Sequence, residues 1–359
     1  MNAYENECDF NLAETCVASI TLAELMQTAG VTDPLAPLQD RAMTYGDITG
    51  STRLRSLIAA LFTKQTADNV LVAHGTIGAN ALVYQALVGP GDTVASVTPT
   101  YQQHVSLPEA LGATVNQVPL LFEDNYALEM DALAGAAKGA KLITLVNPNN
   151  PTGAVLTDDQ MRQVVEIAVA NDAYILADEV YRGTNQADPG SSTSFADLYP
   201  KAISTGSMSK AFALAGLRMG WLVGPKDVLE AAEHHRDYTT ISVGIVNDHL
   251  SCIALQNADK ILTRSQMIVR ANHAIVSEWM AGQNHLSWVA PAGGTTALLH
   301  YPGDGPSYEL AQNILSDTGV LVTPGSALGA EGTLRLGYAN HSEVLRAGLP
   351  LLGDYLAKL

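Results

Sequence analysis

Seven short apolar runs separated by helical patterns occupy residues 69 to 223, and they set the narrowest limit on how this chain can fold. The runs are residues 69–73, 93–98, 113–118, 141–146, 173–177, 201–205 and 219–223. Helical periodicity fills residues 77–88, 101–111, 129–137 and 157–171 between them. Short buried strands alternating with helices predict a mainly parallel sheet covered by helices on both faces. Ligands on such sheets bind beyond the carboxyl ends of the strands. The chemistry is therefore expected in the segments that follow the apolar runs.

Outside this block the pattern changes. Longer helical stretches cover residues 225–236, 244–256 and 258–281, followed by short strand patterns near 286–289, 295–299, 320–323 and 333–338. Leu54, Leu57, Ile58 and Leu61 predict a helix capped by Ser51 or Thr52. Thr21 to Met26 predict a short amphipathic helix that Ala29-Gly30 ends. The expected organisation is an N-terminal arm and helix over 1–35 that belongs to a small domain, and a large α/β domain over 36–240. A helical connection and a small α+β domain then fill 241–359. A chain of 359 residues that is 47% apolar can bury a core of this size.

A net charge of −17 argues against nucleic acid and anionic membrane surfaces as partners. Any bound phosphate or carboxylate must then rely on local arginines and backbone N–H groups. Cys8, Cys16 and Cys252 show no CxxC spacing and leave one thiol over in any pairing, which points to a reducing, cytoplasmic setting. Residues Met1 to Asp9 are polar and acidic, and no apolar run reaches the ~20 residues of a membrane helix, so neither export signal nor anchor is expected. The nine histidines have no HExxH-like spacing, and no serine sits in a GxSxG elbow.

One stretch, Ser204 to Trp221, places Lys210 after small hydroxyl residues and eight residues before Arg218, within a Gly-punctuated apolar run. Burial there would lower the amine's pKa and free it as a nucleophile or base, with general-base action implying a value near ~7 to 8. Ser207 and Arg218 offer a hydroxyl and a guanidinium fork to an adjacent phosphate. Read alone, Lys210 is equally a solvated lysine after a serine-rich turn.

These residues resemble the signature of the class I/II aminotransferases, fold-type I enzymes that depend on pyridoxal 5′-phosphate. The resemblance rests on Ser207-Met208-Ser209-Lys210 and Gly216-Leu217-Arg218-Met219-Gly220 and extends over roughly residues 40 to 340. It implies a large domain with a mainly parallel mixed sheet sandwiched by helices, plus a smaller α+β domain. Lys210 then matches the lysine that forms the Schiff base. Asp178, at the end of Tyr174-Ile175-Leu176-Ala177, matches the aspartate that pairs with the pyridine nitrogen. Tyr181 and Asn150 match the residues that hydrogen-bond the ring's phenolic oxygen, Asn150 within Asn147-Pro148-Asn149-Asn150-Pro151-Thr152-Gly153. Without the resemblance, Asp178 is as readily a turn cap and Tyr181 half-buried core.

The turn Gly75-Thr76-Ile77-Gly78-Ala79-Asn80 lies between a strand and a helix, where N–H groups can hold phosphate. Ile77 departs from the family, which often carries a hydroxyl or small residue there, so Arg218 and the backbone should carry more of the contact. Tyr101, in Pro99-Thr100-Tyr101, matches the tyrosine that stacks on the ring. Arg335, between Leu334 and Leu336, is either a snorkelling edge residue or a clamp on a carboxylate, and it matches the arginine that binds the substrate's α-carboxylate. Tyr45 is either a local aromatic anchor or the match to a tyrosine that reaches the partner subunit's cofactor, which implies a homodimer.

The implied activity moves an amino group between an L-amino acid and a 2-oxo acid. The same scaffold supports other reactions. The runner-up is a lyase or cyclase acting on an amino acid, either C–S lyase-like or capreomycidine-synthase-like, since Arg236-Asp237-Tyr238-Thr239-Thr240 resembles the latter. A non-catalytic cofactor-binding regulator fits the strongly acidic charge poorly.

Overall fold

Each of the seven apolar runs forms a strand, and hydrogen bonds join all seven into one sheet. The computed structural model describes Tyr4 and residues 7–359; residues 1–3, 5 and 6, at the start of the expected arm, lie outside the described residues. After a short β1 (Phe10–Asn11), the sheet strands are β2 (Val70–His74), β3 (Thr93–Thr98), β4 (Thr114–Pro119), β5 (Leu142–Val146), β6 (Tyr174–Asp178), β7 (Ala202–Ser207) and β8 (Met219–Val223). Their spatial order is β2-β8-β7-β6-β5-β3-β4. Only β8 runs antiparallel to its neighbours, β2 and β7.

The continuous apolarity of these strands follows from burial on both faces. Leu142 and Leu176 point into one cluster, with Leu82, Val83 and Tyr84 of α3 (Gly75–Leu87) and Val228 and Leu229 of α8 (Lys226–Asp237). Their chain neighbours Ile143 and Ile175 point into the opposite cluster, with Met161 and Val164 of α6 (Asp158–Ala170) and Phe195 of α7 (Phe195–Leu198). Period-two alternation thus divides the central strands between two cores, while the edge strand β4 buries only Val118. The remaining helices of this part are α4 (Gln103–Ala110) and α5 (Met130–Ala136).

Local signals set the helix ends. In α1 (Leu22–Ala29), the Thr21 hydroxyl accepts from Glu24 N at 3.1 Å and the Glu24 carboxylate accepts from Thr21 N at 2.7 Å, a reciprocal cap. Gly30 closes the helix in left-handed conformation. Ser51 caps α2 (Thr52–Ala59) by accepting from Leu54 N.

The C-terminal part holds α9 (Ile245–Leu255), α10 (Ala258–Ala281), α11 (Ser307–Thr318) and α12 (Ser342–Leu356) around an antiparallel sheet. That sheet has the order β11-β12-β9, from β9 (Thr296–His300), β11 (Thr323–Pro324) and β12 (Thr333–Gly337). The expected strand over 320–323 is split: β10 (Val320–Leu321) pairs with β1, whereas β11 pairs with β12. The run 286–289 makes one bridge, Ser287 to His300. Helices α11 and α12 were not anticipated, although Leu345, Leu349, Leu352 and Leu356 form a buried helical stripe. Among the described residues no helix is long and apolar enough to cross a membrane.

Two pairings position the site. The β1–β10 ladder, continued by Gly337 N donating to Leu12 O at 2.7 Å, draws residues 12–16 onto β12. Between β2 and β7 of the large sheet, β8 crosses the start of α3 so closely that a Cβ on Gly220 would lie 2.2 Å from the Gly75 carbonyl carbon. Backbone cannot yield as a flexible side chain does. Gly220→Ala is therefore expected to destabilise the fold by about 1–3 kcal/mol, read as a lowered urea midpoint with unchanged slope; an unchanged midpoint would show that β8 and α3 can separate freely.

Candidate active site

Asp178 ends β6 and is buried, so its carboxylate must be met by donors. Asn80 Nδ2 donates to Oδ2 at 2.8 Å, and Val180 N donates to Oδ1 at 3.1 Å. Asn80 is itself fixed, because Thr205 Oγ1 donates to its Oδ1 at 2.6 Å. His104 Nε2 lies 3.4 Å from Asp178 Oδ2, and its Nδ1 faces Tyr84 Oη at 2.9 Å and Thr144 Oγ1 at 3.1 Å. Four elements, α3, α4, β5 and β7, thereby converge on one carboxylate.

Lys210 follows β7. Its ammonium donates to Thr15 Oγ1 at 2.6 Å and to Cys16 Sγ at 3.3 Å. Burial pushes its pKa down, but Tyr181, Cys16 and Glu14 outweigh burial and leave it above the ordinary lysine value. This corrects the expected downward shift: burial was legible from the apolar run, whereas the opposing effect of Tyr181 and of Cys16 and Glu14, the last two on the N-terminal segment that Thr15 ties to Lys210, was not. Burial lifts the Cys16 thiol to about 11, so it is a neutral thiol at neutral pH. Burial would raise Glu14 too, but the Lys210 charge and the N–H groups of Cys16 and Thr15 hold its carboxyl below the ordinary glutamate value.

The start of α3 forms a cradle. Gly75 adopts φ +68°, and a Cβ there would lie 2.7 Å from Arg218 Nη2, so only glycine lets the guanidinium approach. Arg218 Nη1 donates to Ala215 O at 3.0 Å and lies 3.5 Å from Ser209 Oγ. The Thr76 hydroxyl is buried with no hydrogen-bond partner. Free helix N–H groups, a guanidinium and an unpartnered hydroxyl together suit a phosphate. Ser207 closes β7, and its hydroxyl accepts from Ser209 N at 3.2 Å, which leaves its own O–H free to donate; Ser209 Oγ lies beside Arg218. Ile77 is 47% exposed, and its carbonyl accepts from Gln103 Nε2 at 2.7 Å.

Arg335, buried on β12, donates from Nη1 to Asn150 Oδ1 at 3.2 Å and from Nη2 to Ala13 O at 3.1 Å and Thr323 Oγ1 at 3.0 Å. Its Nε has no partner. Burial pushes its pKa down against the pull of Tyr181, Glu14 and Tyr101, and an arginine stays charged regardless. The loop that carries Asn150 is braced by Asn149 Oδ1, which accepts from Thr152 N and Oγ1, and by Asn147 Oδ1, which accepts from Leu156 N. Tyr181 is buried and near enough to influence both Lys210 and Arg335. Tyr101 and Arg335 line a cavity of about 360 Å³.

Two expected residues stand apart. Tyr45 is 74% exposed, and its hydroxyl makes no hydrogen bond among the described residues. Arg236 is fully buried under β2, donating to Val72 O, while Tyr238 is 72% exposed. Sequence reasoning missed Glu14, Thr15, Cys16 and His104. His104 falls three positions after Tyr101, a helical spacing that could have flagged it; the 14–16 segment gives no local signal.

Comparison with known proteins covers nearly the whole chain. A model of "Aminotransferase class I and II" matches residues 4–347. Capreomycidine synthase of Streptomyces vinaceus is 30% identical over 313 residues, 87% of this chain and 80% of that protein. Aspartate/prephenate aminotransferase of Thermus thermophilus is 27% identical over 88% of this chain and 83% of its own. A crystal structure of a PLP-dependent aminotransferase from Streptococcus suis 89-1591 superposes with TM-score 0.95 and 34% identity, covering 99% of this chain and 96% of that one.

Asn80→Ala removes the donor to Asp178 and the acceptor for Thr205 together. Two buried groups lose partners, and a loss of about 1–3 kcal/mol is expected, measured by chemical denaturation of the protein without cofactor. A change below the error of that measurement would mean that the Asp178 network contributes nothing to the fold.

Proposed function

The chain belongs to the class I and II aminotransferases, enzymes that depend on pyridoxal phosphate, and we propose that Lys210 is the residue that bonds the cofactor and moves the proton at the substrate Cα. The observation that carries this reading is that Tyr181 acts on both Lys210, which follows β7, and Arg335, on β12, while Asp178 is buried at the end of β6, the strand paired with β7. When bound, pyridoxal phosphate supplies an aldehyde for amines to bond and a ring that accepts electrons from Cα.

The residues present fit that group. The Gly75 and Thr76 N–H groups, the Thr76 hydroxyl, Ser207, Ser209 and Arg218 would hold its phosphate. Asp178 would face the ring nitrogen. There a carboxylate fixed by Asn80 and Val180 keeps its position without reorganising. Asn150 and Tyr181 would address the phenolic oxygen, and Tyr101 would cover the ring. Arg335, already anchored to Asn150 and Thr323, orients the substrate's α-carboxylate with its remaining donor capacity. Thr15 and Cys16 hold the Lys210 ammonium between proton transfers.

The amino donor is an L-amino acid and the acceptor a 2-oxo acid. The working unit in this reading is a cytoplasmic homodimer. Supporting it are the exposed Met43, Tyr45 and Ile48, an apolar surface of the kind a second subunit covers, with Tyr45 reaching the partner's cofactor. The free thiols Cys16 and Cys252 accord with a reducing compartment. Residues 36–240 would act as the cofactor-binding domain, with 1–35 and 241–359 forming the smaller one. A second reading, a lyase or cyclase acting on an amino acid, is favoured by the 30% identity to capreomycidine synthase.

Borohydride reduction of the loaded enzyme, followed by peptide mass analysis, should find the cofactor on the peptide that contains Lys210, and Lys210→Ala should lose the visible absorption band and multiple turnover. Label on another lysine, or sustained turnover by Lys210→Ala, would overturn the assignment. Arg335→Lys keeps the charge but loses the planar fork, so KM for the amino acid should rise about 10- to 100-fold with a smaller change in kcat. An unchanged KM would remove Arg335 from substrate binding.

A further inference from the structure

The cavity beside Arg335 contains one feature that amino-group transfer by itself does not use. Arg335 supplies a cation, Glu14 an anion, and the rest of the wall is mainly apolar, with Leu315, Leu321, Val322 and Leu328. Glu14 is held in a fixed orientation, since its Oε1 accepts from Thr15 N at 2.6 Å and Cys16 N at 2.7 Å. A carboxylate has about four acceptor positions in all, so capacity remains for another donor. Thr15 O in turn accepts from Thr295 Oγ1 at 2.7 Å, and Ala13 O from Arg335, so the segment on both sides of Glu14 is tied to the small domain.

We propose that Glu14 selects the amino donor, so that the cavity takes an amino acid whose side chain ends in a cation, an ammonium or a guanidinium, and rejects one ending in a carboxylate. The proposal rests on the aminotransferase reading and names the substrate class for it. Arg335 takes the α-carboxylate, the apolar wall takes the methylene stem, and Glu14 accepts from the terminal cation. A second carboxylate in the same cavity would meet Glu14 with like charge, which is discrimination by repulsion as well as by attraction. The net charge of −17 favours the approach of cations over anions in the same sense. A volume of about 360 Å³ has room for a long unbranched side chain.

The test compares Glu14→Gln with the parent enzyme. Glutamine keeps an oxygen for the Thr15 and Cys16 N–H groups and removes only the charge. Titration calorimetry with 5-guanidinopentanoate, hexanoate and adipate reads binding without turnover, because none of the three carries an α-amine. The parent should bind the guanidino acid most tightly and adipate most weakly, and Glu14→Gln should reduce the preference for the guanidino acid over hexanoate by about 10- to 100-fold. In steady-state assays the ratio of kcat/KM for arginine to that for norleucine should fall in parallel. Equal binding of the three acids by the parent, a preference for adipate, or an unchanged preference in Glu14→Gln would overturn the proposal. Failure of the parent to transaminate any amino acid, by contrast, would overturn the aminotransferase reading beneath it.

Discussion

A carboxylate buried at the end of a sheet strand is unstable unless donors surround it, and meeting that demand at Asp178 organises the centre of this molecule. Asn80 comes from α3, His104 from α4, Thr205 from β7 and Val180 from the turn that follows β6. The parallel order of β5, β6 and β7 is what brings their carboxyl ends side by side. Tyr84 and Thr144 extend the network beneath His104. The hydrogen bonds of Asn80, Thr205 and Val180 fix the carboxylate in place, while His104 Nε2 approaches it without completing a hydrogen bond.

Around this fixed centre the remaining groups arrive from elsewhere in the chain. The left-handed turn at Gly75 and the crossing of Gly220 set α3 against Arg218 and create the cradle. The small sheet carries Arg335, and the β1–β10 pairing lays residues 13–16 between Arg335 and Lys210. Two domains in the proposed division thus complete one site, and the surroundings of Lys210 are more acidic than burial alone would make them. Its amine therefore rests as an ammonium, held by Thr15 and Cys16, in the chain as it stands.

Much of this was legible in the sequence because it is local. Every large-sheet strand except the edge strand β4 is a short apolar run buried on both faces, and Asp178, Lys210, Gly75 and Asn150 all follow such runs. The missed parts are those that long-range pairing decides. Nothing near Glu14 or Cys16 announces that they meet Lys210, since a two-residue ladder to β10 brings them there. The division of residues 320–324 into two strands likewise depends on which partner each half finds, and that choice leaves no periodic trace.

The central claim is that this assembly moves an amino group and does not expel it. A single half-reaction tests it most directly: enzyme loaded with cofactor is mixed with one amino acid in the absence of any 2-oxo acid, and the products are counted per active site. The account predicts one equivalent of the matching 2-oxo acid, no free ammonia, and no further turnover until a 2-oxo acid is added. Ammonia or a cyclised product formed over many turnovers without an acceptor would contradict it and establish the lyase or cyclase reading.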